Sequence, residues 1–189
     1  IDGLTFGISA AFGDDGDSTV SSTAETSYSA GVTYVTTAGD TTVTVGGGFI
    51  NADDSNTNTI NDKTDVVMMS ATAATGDLTV GVGYASGSGV DGDTTEIDSA
   101  SIMTAGASYV SGDMTFSVGM KDSEAKDGLE GANGSNTDTL ESLGASLDYA
   151  VASGVTATFG YTDVSAGNEG SSVAGNSGSS WYIGANISF

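Results

Sequence analysis

Bulky apolar residues and small uncharged ones take turns along this chain, one position at a time, and few folds can accept that pattern. In the first segment Leu4, Phe6, Ile8, Ala10 and Phe12 fall on one side, with Thr5, Gly7, Ser9, Ala11 and Gly13 on the other. Successive side chains of a β-strand point to opposite faces, so a period of two over ten residues means a strand. The pattern returns at Val43, Val45 and Phe49, at Leu78, Val80, Val82 and Tyr84, and at Met114, Phe116, Val118 and Met120. It returns again at Leu143, Ala145, Leu147, Tyr149 and Val151, and at Val155, Ala157, Phe159 and Tyr161. Three further strands, at about 27–36, 65–74 and 100–110, alternate less cleanly, and the last runs through Trp181, Ile183, Ala185, Ile187 and Phe189. Ten strands are expected.

The connections alternate as the side chains do. Short turns fall at Ala38-Gly39-Asp40, Thr75-Gly76-Asp77, Ser111-Gly112-Asp113 and Ala152-Ser153-Gly154. Long polar stretches lie between them, at about 14–26, 51–65, 86–99, 122–139 and 163–179, and hold 19 of the 25 acids. The Gly-Asp pairs recur every 36 or 37 residues, each with a Thr two positions after the Asp, so the repeating unit is a hairpin. Short turns at one end and long loops at the other are the signature of a transmembrane barrel.

A soluble sandwich would place charge on the solvent face of its strands, but here the second face is Gly, Ser, Thr and Ala. Tyr34, Tyr109 and Tyr149 close the strands that run to short turns, while Phe12, Phe49, Tyr84 and Tyr161 close those that run to long loops. Those positions predict two aromatic girdles set apart by a membrane-spanning strand, about 9–11 tilted residues. No apolar run approaches the roughly 20 residues of a membrane helix, and no apolar stripe has helical spacing. The expected fold is all-β, an antiparallel up-and-down transmembrane barrel, with residues 1–189 as one domain. Hydrocarbon does not tolerate an open sheet edge, so the barrel is expected to close, as ten strands or as part of a larger wall.

Composition removes several functions. The chain has no His and no Cys, and thus lacks the commonest general base and any thiolate chemistry; no enzyme is expected. A net charge of −22, with three Lys and no Arg, argues against nucleic acid as a partner. Hard-oxygen clusters at Asp14, Asp15 and Asp17, at Asp53 and Asp54, and at Asp91, Asp93 and Glu96 have the donors that calcium takes. None matches the twelve-residue EF-hand loop or a Gly-rich nonapeptide repeat, and the plain alternative is a solvated rim. Gly46-Gly47-Gly48 has no following Lys or helix to make a phosphate loop.

The end of the chain is more specific. Phe189, preceded at alternate positions by Ile187, Ala185, Ile183 and Trp181, resembles the assembly signal of bacterial outer-membrane barrels. Together with the opening Asp2-Gly3-Leu4-Thr5-Phe6-Gly7, the repeated Gly-Asp-x-Thr turns and the acidic loops, the whole resembles the later part of alphaproteobacterial general porins. That resemblance implies a Gram-negative outer-membrane location, a 16-stranded homotrimer of which these are the last ten strands, and insertion by the barrel assembly machinery. The family sets loop acids against a basic wall cluster; without Arg, and with six strands and the constricting loop lacking a counterpart, no constriction residue carries over.

In such a barrel the small-residue face lines the pore. Thr42, Thr44, Ser146 and Thr158 are expected there, with Asp148 and Lys121 as its charges. Lys121, at the loop end of its strand, reads more simply as a solvated wall residue. The expected function is a porin: passive diffusion of small hydrophilic solutes and ions, cations preferred because of the acidic loops, with membrane lipid and lipopolysaccharide as neighbours. The alternatives are a structural or adhesive outer-membrane barrel and a secreted, acidic, calcium-binding β protein.

Overall fold

The computed structural model describes residues 1–13, 25–54, 62–91, 95–127, 136–169 and 175–188. Ten strands form one antiparallel sheet in which every strand lies beside its neighbour in sequence. They are β1 (Leu4–Gly13), β2 (Glu25–Ala38), β3 (Thr41–Asp54), β4 (Asp62–Thr75) and β5 (Leu78–Asp91). The second half comprises β6 (Thr95–Ser111), β7 (Met114–Asp127), β8 (Asn136–Ala152), β9 (Val155–Glu169) and β10 (Asn176–Ile187).

The four short turns are where the residues place them. Two residues join β2 to β3, β4 to β5, and β6 to β7, and in each the first is a Gly with positive φ: 62° at Gly39, 54° at Gly76 and 60° at Gly112. Tight hairpins need such a backbone because it matches the right-handed twist of the flanking strands, and Gly adopts it without a steric cost. The turns are also tied sideways: Asp77 and Asp113 each accept a backbone bond at 2.9 Å, from Val110 and Ala150.

At the other end the strands run further than the alternation predicts. The stretches expected as loops contribute residues such as Asn51, Asp65, Asp122, Glu124 and Asp163 to β3, β4, β7 and β9. Much of the acid therefore rides on strand ends rather than in loops. The reason is physical: above the apolar band both faces meet water, so the period of two fades while the ladder continues.

Registry pins one face against the other. Gly7 lies opposite Gly31, Gly31 opposite Gly48, and Ser117 opposite Ser146, whereas Phe116 lies opposite Leu147 and Leu147 opposite Phe159. Ladder slips occur at Gly87/Gly89, Ile97/Ser99 and Ala150/Ala152.

No apolar side chain among the described residues is buried. The accessible surface is 12555 Å², against roughly 8,200 Å² expected for a folded soluble chain of this mass. A single sheet has no second layer to cover its apolar face, and a soluble domain would need one. Closure as ten strands is not what forms: among the described residues β1 and β10 share no ladder, and the sheet is open. The two edges show it directly, with Ile8 82% and Ile183 85% exposed, where Val118 in the middle of the sheet is 50% exposed.

Candidate functional site

The two faces of the sheet offer different chemistry, and each has a sharp boundary. On the apolar face β7 carries Met114, Phe116, Val118 and Met120, then turns acidic at Asp122, which stands directly opposite Glu141 of β8. On β9 the same change comes at Asp163, and on β4 at Asp65, to which the Asn51 amide donates a hydrogen bond. Below, the apolar run is bounded by the turn aspartates. From Asp113 to Asp122 is about 30 Å along the strand, or about 23 Å across a membrane at a tilt of roughly 40°. That span fits the hydrocarbon band of an outer membrane.

Phe12 and Tyr109 stand within two residues of the ends of β1 and β6, but Phe49, Tyr84 and Tyr161 lie well inside β3, β5 and β9 instead of closing them. Leu78 stands opposite Tyr109 and Ala157 opposite Tyr149. Tyr84 and Tyr161 are thus only six and four residues above the lower row, closer than a full membrane-spanning strand. The upper row is packed: the Trp181 ring sits 4.5 Å from Tyr161 and 5.4 Å from Phe159, in tilted contact. The Tyr161 hydroxyl donates to Asp163 at 3.3 Å, so its polar tip points toward the charged rim, as an interfacial aromatic should.

The small-residue face holds a groove of about 610 Å³ that touches six strands, β4 to β9. Its floor is a row of glycines in register, Gly81, Gly106, Gly119 and Gly144, and its rim is hydroxyls, among them Thr72, Thr104, Ser142 and Thr162. Lys121 is the one charged residue in that lining. A smaller hollow of about 300 Å³ includes Ser146, Gly144 and Tyr182. The Tyr182 ring lies over Gly160, which stands directly opposite and is the one buried position among the described residues.

The residues singled out from sequence fall as follows. Thr42, Thr44, Ser146, Asp148, Thr158 and Lys121 all belong to the small-residue face, as their registry requires. They do not gather at one point. Lys121 is in the large groove and Ser146 in the small hollow, while Thr42 and Thr44 are on β3 beyond both. Asp148 accepts a hydrogen bond from Thr158 across the β8–β9 ladder. Lys121 is not at the end of its strand: β7 continues to Asp127, so Lys121 is an interior wall position between Thr104 and Ser142. Asp14, Asp15, Asp17, Asp93 and Phe189 lie outside the described residues, as do the side chains of Asp53, Asp54, Asp91 and Glu96. Among the described residues no three acids converge to hold a metal. The glycine row and Tyr182 over Gly160 were missed from sequence; aligning the glycines of four strands requires the register.

The fold is similar to that of OmpT, an outer membrane protein of Vibrio cholerae. A form lacking loop L8 shares 18% identity at a TM-score of 0.57, over 97% of this chain and 60% of that one. The in-vitro folded form shares 12% identity at a TM-score of 0.56, over 99% of this chain and 81% of that one. At these identities the likeness is one of fold. The chain thus spans three fifths of the length of the first of these relatives. No curated protein matches the sequence. The model of the Gram-negative porins matches residues 1–188. With an apolar band of membrane height on one face and a hydroxyl-and-glycine wall on the other, this chain belongs to the Gram-negative porin family, and its place is the outer membrane.

Proposed function

We propose that this chain forms the wall of a water-filled channel through which small hydrophilic solutes and ions diffuse passively. One observation carries the reading: the face turned from the apolar band is built mainly of Gly, Ser, Thr and Ala, with a few larger residues such as Met68, Ile102 and Tyr182, and is on the whole too small to plug a barrel and too polar for lipid. No catalytic role is proposed. Because hydrocarbon penalises each unpaired backbone group by several kcal/mol, β1 and β10 pair with further strands in the membrane, in a closed wall of sixteen strands. The resemblance to alphaproteobacterial general porins supports that number and a homotrimer. Thr42, Thr44, Ser146, Thr158, Asp148 and Lys121 then line the pore.

The acids at the long-loop end, among them Asp65, Asp122, Glu141 and Asp163 on the outer side of the wall and Asp138 on the inner, make the mouth negative and favour cations. This attraction weakens with salt, since the Debye length falls from about 10 Å at 0.1 M to about 3 Å at 1 M. Reconstitution in planar bilayers under a potassium chloride gradient tests both statements. The reading requires stepwise conductance, with reversal potentials that favour potassium in dilute salt and less so in concentrated salt. Absence of conductance from folded protein would overturn the channel; chloride preference in dilute salt would overturn the role of the rim.

A further inference from the structure

The acidity of the chain hides one positive position on the small-residue face. Lys121 is half-buried there, between Thr104 of β6 and Ser142 of β8, one row from the glycines Gly106, Gly119 and Gly144. With glycine in that row, no side chain covers the ammonium from that side, and the groove of about 610 Å³ opens over it. Of the other lysines, Lys126 is turned to the opposite face and pairs with Glu124 at 3.1 Å. Among the described side chains Lys121 is therefore the one base on this face.

Asp122 and Glu141, its neighbours along and across the ladder, are on the opposite face, and among the described side chains its nearest acids on the same face are distant. Asp138 is four residues and Asp148 six residues from Ser142 along β8, about 13 Å and about 20 Å at roughly 3.3 Å per residue. Both exceed the Debye length of about 8 Å at physiological salt, so neither offsets the ammonium. Asp148 is further engaged with Thr158. What remains is an ammonium in a hollow bordered by the hydroxyls of Ser142 and Thr162, which can donate to an anion and contribute no negative charge, and by that of Thr104, which donates to the Gly83 carbonyl at 3.5 Å and would have to turn to do so.

We infer that this groove is a coordination point for small oxyanions, carboxylates or phosphates, inside a pore whose mouth favours cations. The inference deepens the channel reading and rests on it for its role in transport. Lys121 supplies the charge and the hydroxyls supply donors to oxygen, an arrangement that holds an oxyanion weakly enough to let it leave. The pore would then handle anions by site rather than by field: few enter past the rim, and those that do pause at Lys121.

Inorganic phosphate is the probe, and the full chain folded in lipid is the sample. Single-channel potassium current should be interrupted by phosphate in the wild type, with affinity about tenfold weaker in Lys121→Gln, where the charge-assisted contact is gone. Lys126→Gln, on the other face, should respond as the wild type does. Independently of any current, phosphate should move the side-chain nitrogen resonance of Lys121 in isotope-labelled protein and leave that of Lys126 in place. Equal block of wild type and Lys121→Gln, or an unmoved Lys121 resonance, overturns the site. Movement of that resonance in a protein that never conducts would keep the site and overturn the channel.

Discussion

Strand β7 is two surfaces in alternation, and their difference explains the molecule. Met114, Phe116, Val118 and Met120 stand exposed on one side, while Thr115, Ser117, Gly119 and Lys121, a bond away along the chain, are half-buried on the other. The backbone is the same for both. In the proposed channel only the surrounding medium separates them: hydrocarbon accepts the first set and water the second. A soluble sheet buries its apolar face, whereas this one leaves that face to the membrane and saves small polar residues for the inside.

The largest effect should come from placing one charge on each surface. Val118→Arg is expected to destabilise folding into lipid vesicles by about 2–4 kcal/mol, and Ser117→Arg by less than about 1 kcal/mol. Urea titrations of the two variants measure it, and equal losses would dissolve the distinction between the faces.

A smaller contrast lies within the small-residue face itself. A β-carbon at Gly87 would overlap the carbonyl oxygen of Asp65, beside a ladder slip, so Gly87→Ala should lose about 1–3 kcal/mol. At Gly119 the nearest atom to such a carbon is a carbonyl oxygen 3.7 Å away, an ordinary contact. Gly119→Ala should stay within about 0.5 kcal/mol of wild type in the same titration. If the two alanines cost the same, the glycines of this wall are not sorted by backbone approach.

The same contrast governs how much could be read from residues alone. Where the faces differ strongly, as on β5, β7 and β9, strand and orientation are legible from alternation. On β4 and β6 the contrast is blunted, since Ala71, Ala73, Ala105 and Ala107 occupy the apolar face while Met68 and Ile102 occupy the other. Strand ends were illegible wherever both faces leave the membrane, which is why Asp122 to Asp127 reads as loop and Lys121 as a terminal residue. The hydroxyl wall was legible as a composition. The groove was not, because its glycines come from four strands and meet only through register.

If water reaches one face of these strands and lipid the other, neighbouring residues must differ in their access to a water-borne reagent. The chain contains no Cys, so single cysteines placed at 114 to 121 can be read one at a time in the outer membrane with a small, charged, membrane-impermeant thiol reagent. Labelling should alternate along β7, with cysteine reacting in place of Thr115, Ser117, Gly119 and Lys121 and remaining unmodified in place of Met114, Phe116, Val118 and Met120. Uniform labelling, or labelling of the apolar set alone, would contradict it.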